Sequence, residues 1–135
     1  MITEDYVSFE TAKLLKEKGF DNDVICTDCW YDEDGDLHRR GNYSYSGAPV
    51  YHKDTCCNAP TLQMAMKWLR EIHHLHIEVY RTACEYLYII SKVPTGSDIY
   101  DNGDAYDGDD ENSGQWSTYE KAVEDAIKYC LENLI

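Results

Sequence analysis

The chain has 135 residues, 43% of them apolar, which is enough for a folded core and too many for a chain disordered throughout. Its 26 acids against 12 bases give a net charge of -14, which argues against a nucleic-acid partner, because phosphate binding draws on Lys and Arg. No apolar run approaches the roughly 18 residues a bilayer-spanning helix needs, so no membrane partner is expected.

The amino terminus, MITEDYVSFE, carries neither a basic nor an apolar leader region; it predicts no secretory signal and a cytoplasmic location. Six cysteines (Cys26, Cys29, Cys56, Cys57, Cys84 and Cys130) are then expected as free thiols. The acidity is uneven. Residues 21–36 hold seven acids and no base, residues 98–111 hold seven more and no base, and the rest of the chain is balanced.

Ser8 is the expected N-cap of a first helix, with Glu10 in its first turn and Phe9, Ala12 and Leu15 on one face. Gly19 is expected to end it in a left-handed cap, with Phe20 folding back onto the last turn. Residues 24–31 are rich in β-formers and read as a strand. The hydrophilic 32–36 stretch, with Gly35 inside it, reads as a turn, and 37–45 as the returning strand. Residues 47–59 lack periodicity and read as a loop.

The 60–75 stretch, PTLQMAMKWLREIHHL, places Leu62, Ala65, Met66, Leu69 and Ile72 at helical spacing, flanked by Trp68 and Met64. Pro60 is its expected start. Alternation with a period of two from Ile77 to Thr82, and again from Tyr86 to Val93, predicts a second hairpin. Pro94 and Gly96 stop it. Residues 95–115 carry four glycines, seven acids and hardly any aliphatic side chain, and read as a solvated loop. Ser117 and Glu120 suggest a capping box for a last helix, whose stripe runs through Tyr119, Ala122, Val123, Ala126, Ile127, Cys130, Leu131 and Leu134.

The order α-ββ-α-ββ-α predicts a single α+β domain over 1–135, with acidic loops at 21–36 and 95–115. Its expected architecture is two-layer: three helices on one antiparallel four-stranded sheet. Tyr31, Tyr43, Tyr45, Tyr80, Tyr86 and Tyr88 are candidates for the open face of that sheet, either as an amphipathic surface or as a contact surface for a partner.

Three segments, VSFETAKLLKEKGF (7–20), NAPTLQMAMKWLREIHHLHIEVY (58–80) and TYEKAVEDAIKYCLENLI (118–135), resemble a group of small uncharacterised proteins. Those are encoded in gut anaerobes, often in prophage or other mobile regions, and in their phages. The resemblance implies a mobile-element context and assigns no residue a role.

A zinc reading joins Cys26 and Cys29, at CxxC spacing, to His52 and Cys56, as thiolate and imidazole ligands. Against it, strand positions three apart point to opposite faces, and Cys56 and Cys57 are adjacent where a second CxxC would be spaced. His73, His74 and His76 suggest a metal or acid–base site, with His73 and His76 at i, i+3 spacing, or, on the plainer reading, a helix end where imidazolium meets the C-terminal dipole. Asp32, Asp34 and Asp36 have the first three spacings of an EF-hand loop, but Leu37 and Tyr43 occupy its glycine and glutamate positions. No P-loop, GxGxxG or GxSxG occurs.

The expectation is therefore a non-enzymatic accessory protein, without cofactor, acting through contact with another protein. A second copy of the chain is left open as partner. The alternatives are an acidic mimic of nucleic acid and a small zinc module.

Overall fold

The computed structural model of the protein describes residues 1–24, 26–41, 46–103 and 116–135. Two compact units succeed each other along the chain, Met1–Thr61 and Leu62–Ile135. The class is α+β, as expected. The described residues form four helices and two three-stranded antiparallel sheets, which corrects the expected single four-stranded sheet with three helices.

In the first unit, α1 spans Phe9–Glu17 and starts where the sequence predicts, with Ser8 Oγ accepting the Thr11 N–H at 3.2 Å. Gly19, at φ 97°, takes the left-handed conformation that only glycine adopts at no steric cost. Its carbonyl then opens a second, four-residue helix, α2 (Phe20–Asp23), which sequence reasoning missed. Phe20 is wholly buried.

Strand β1 (Cys29–Tyr31) is central, with β2 (Leu37–Arg39) on one side and β3 (Cys57–Ala59) on the other. Register pairs Trp30 with His38 and with Asn58. Both hairpin strands are shorter than expected, and residues 42–45, with Tyr43 and Tyr45, lie outside the described residues. β3 falls in the stretch read as a loop. Three residues, Cys-Asn-Ala, are too few to display a period of two. One sheet face carries Cys29, Tyr31, Cys57 and Ala59 against α1. There the Phe9 and Tyr31 rings lie 5.4 Å apart, and the Tyr31 hydroxyl donates to the Val7 carbonyl at 2.7 Å. The other face carries Trp30, His38 and Asn58.

In the second unit, α3 (Leu62–Ile72) packs on β4 (Leu75–Arg81), and α4 (Tyr119–Tyr129) packs on β4, on β5 (Tyr86–Lys92) and on α3. Leu62, Ala65, Met66, Trp68 and Leu69 of α3 are buried, as the periodicity predicts, whereas Ile72 is half exposed. His74, two residues past the end of the helix, adopts φ 57°, the left-handed conformation glycine usually fills. β6 (Asp98–Asp101) pairs with β5 inside the segment read as a loop.

Asn102 extends that pairing. Its N–H donates to the Tyr88 carbonyl at 3.0 Å and its side-chain oxygen accepts the Tyr88 N–H at 2.8 Å. Thr118, one residue later than expected, caps α4 by accepting the Lys121 N–H at 3.1 Å. A π-helical turn, Cys130–Leu134, continues the helix.

The tyrosines do not line one open face. Tyr31 and Tyr88 are buried. Tyr86 and Tyr88 share the parity of β5 that meets α4, where Tyr88 donates to Asp125, while Tyr80 projects from the opposite side onto Asp101 at 3.1 Å.

Candidate functional site

Cys26, Cys29, His52 and Cys56 all belong to the first unit. Cys26 is exposed, with its thiol turned to the Thr27 carbonyl. Cys29 is buried in β1, opposite Arg39 and Ala59. His52 is exposed, and its main-chain N–H donates to the buried Cys56 sulfur at 3.4 Å. Among the described residues no group of three or more His, Cys, Asp and Glu stands together to hold a metal ion. The neighbouring Cys57 thiol is pushed up to about 11, chiefly by burial and then by the Asp21 charge.

The acidic turn folds on itself. Asp32 Oδ1 accepts the N–H groups of Asp34 at 2.9 Å and Asp36 at 3.0 Å, while Oδ2 meets His38 Nε2 at 2.7 Å. The His38 bond, helped by those backbone donors, holds the Asp32 carboxyl below its usual range. An oxygen engaged in a turn of this kind is a structural cap.

A different constellation forms a cleft of about 620 Å³, lined by Lys16, Asp21, Asn22, Tyr51, Lys53, Asp54 and Asn58. Each element contributes for a local reason. The left-handed Gly19 turns the chain into α2 and so delivers Asp21; α1 delivers Lys16; β3 delivers Asn58. Lys16 Nζ donates to the carbonyls of Lys53 at 2.5 Å and Cys56 at 2.6 Å, pinning the 52–56 turn to α1.

Asn58 is 1% exposed and is the hub. Its Oδ1 accepts Arg40 Nη2 at 2.7 Å and the Thr27 hydroxyl at 3.3 Å, and its Nδ2 donates to the Val24 carbonyl at 3.4 Å. Arg40 Nε donates to the Thr27 carbonyl at 2.7 Å, and its guanidinium lies 4.6 Å from the centre of the Tyr51 ring. Tyr51 meets Trp30 edge-on at 5.6 Å.

Asp21 closes the network. Its Oδ2 accepts the Tyr51 hydroxyl and the Asn58 N–H, both at 3.3 Å, while Oδ1 is buried with no hydrogen-bond partner. Desolvation raises the Asp21 pKa, against the opposing pull of those two donors and of Lys16. The same burial, with the Asp21 charge beside it, pushes the Tyr51 phenol up to about 12. Sequence reasoning counted Asp21 as one acid of a run, and no spacing rule distinguishes it there.

A second cleft of about 620 Å³ adjoins, sharing Lys16 and Asp54 and adding Phe9, Lys13, Cys56 and Cys57. No family model, no curated protein and no solved structure matches this chain. No helix among the described residues is long and apolar enough to cross a membrane.

Proposed function

We propose that the protein is a non-enzymatic accessory protein of a phage or mobile element that acts by contact with another protein. The observation that carries this reading is the Asp21 carboxylate: desolvated, incompletely bonded and set in an open cleft of a chain with net charge -14. The cations beside it are committed to the scaffold, Lys16 to two carbonyls and Arg40 to Asn58 and Thr27. Its formal charges balance, two lysines against two aspartates, so what the cleft offers a visitor is the unused acceptor capacity of Asp21, which suits a donor-bearing basic side chain.

Proton transfer would fall to Asp21, whose pKa desolvation raises, but its bonded neighbours are poor partners for it. A general acid or base works best with a pKa near the working pH. Asp21's bonded neighbours are a phenol raised to about 12 and a backbone amide.

The test is affinity capture from the native host's lysate, followed by reconstitution with the captured protein purified. The expected result is one protein that binds stoichiometrically and is released by salt. Failure of every captured protein to rebind once purified overturns the proposal.

A further inference from the structure

We propose that the Asp21 cleft of the first unit is a receptor for a single protonated primary amine, the lysine side chain of a partner protein. That the amine arrives on a protein rests on the function proposed above; that the cleft takes an alkylammonium rests on its geometry alone.

An ionised carboxylate offers about four acceptor positions. Asp21 fills two of them, both on Oδ2 and both at 3.3 Å, the long end of hydrogen bonding. Oδ1 is shut from solvent and receives nothing. A buried charge left short of donors is costly, and a bonded cation is what relieves it most.

The protein's own cations supply that relief only in part: Lys16 acts on Asp21 through its charge, with no hydrogen bond between them. Lys16, on α1, spends two of its three N–H groups on the carbonyls of Lys53 and Cys56. Arg40 is turned to Thr27, Asn58 and the Tyr51 ring. Lys53 and Asp54, on the segment between β2 and β3, are exposed and line the same cleft with opposite charges.

The two long bonds also leave the carboxylate free to turn, since the terminal torsion of an aspartate is broad. Admitting the ammonium requires a turn about the Cβ–Cγ bond that brings Oδ1 to the cleft, with the two long bonds to Oδ2 adjusting as it turns. Tyr51 and the Asn58 amide then hold one oxygen while the incoming ammonium takes the other. A cleft of about 620 Å³ leaves room for a four-carbon stem alongside Tyr51. An anion is repelled by Asp21 and finds only one N–H of Lys16 not given to a backbone carbonyl. A neutral alcohol gains the hydrogen bond without the charge compensation.

The Asn58 N–H, bonded to Asp21 Oδ2, is a built-in reporter. The experiment titrates the full-length ¹⁵N-labelled chain with n-butylammonium chloride at pH 7 and constant ionic strength, with 1-butanol as the neutral control. The expected result is a saturable shift of the Asn58 amide with butylammonium and none with butanol. Asp21→Asn should weaken it at least about tenfold, as loss of a charge-assisted bond implies. In the wild type the response should fade on acidification, as Asp21 takes up its proton.

Equal shifts with butanol, or a response that ignores acid, overturn the assignment even where the variant does not fold. Partner capture that survives Asp21→Asn beside a silent titration removes this site and leaves the proposed function standing. A saturable titration without any rebinding partner does the reverse.

Discussion

Tyr88 and Asp125 tie β5 to α4 in the second unit. Tyr88 is 1% exposed, and its hydroxyl donates to Asp125 Oδ2 at 2.6 Å. Burial, and then the Asp125 carboxylate, raise the Tyr88 pKa far above its ordinary value. Tyr88→Phe removes the donor while half-buried Asp125 can turn to water, so the expected loss is about 1.5–2 kcal/mol, the lower part of the range for bonds to charged groups.

Asp125→Ala strands the phenolic hydroxyl in the core at a cost of about 1–3 kcal/mol, offset by roughly 0.5 kcal/mol of helix propensity gained by alanine. The double variant should lose less than the sum, giving a coupling of about 1–2 kcal/mol. Urea unfolding followed by far-UV circular dichroism at pH 7 measures all three. The sign of the pH effect follows too. A folded-state pKa above the unfolded value of 10.0 means that Tyr88 contributes stability below pH 10, lost as pH rises further. Tyr88→Phe should therefore lose less stability than wild type above pH 10. A coupling near zero would refute the claim that this bond, rather than ring packing alone, holds the strand to the helix.

Leu69, wholly buried on α3, should lose about 2–5 kcal/mol on Leu69→Ala, while exposed Lys67→Ala should stay within about 0.5 kcal/mol, both by denaturant titration. Gly35 has φ 87°, and a Cβ there would sit 2.7 Å from Phe9 Cδ2, so Gly35→Ala should cost about 1–3 kcal/mol in thermal melts. Asp21, with its pKa raised by desolvation, contributes stability below the unfolded value of 3.8 that is lost as pH rises through its folded pKa. Asp21→Asn should then be slightly the more stable at pH 7, by less than about 1 kcal/mol given solvent screening, and the gap should close in acid. Overnight dialysis against a chelator should leave the melting temperature unchanged, since Cys26, Cys29, His52 and Cys56 do not converge; a fall of several degrees would show otherwise.

Local chemistry was legible wherever a residue acts on its own neighbours. Ser8 capped α1, Gly19 took the left-handed turn, and the helical stripes of α3 and α4 were buried nearly as read, because side-chain spacing and backbone preference lie within a few residues of one another. The hairpin β4–β5 was legible for the same reason.

Only the tertiary structure decided what each hairpin takes as a third strand. β3 and β6 are short, carry no alternation, and exist because β1 and β5 present unsatisfied edges that they satisfy. Asp21 shows the limit most plainly. Its place beside Asn58 and Tyr51, 37 and 30 residues away, depends on how α2, β3 and the intervening chain come together. Sequence set the charge of that carboxylate, whereas folding withdrew its water, because desolvation is a property of the surroundings and not of the residue.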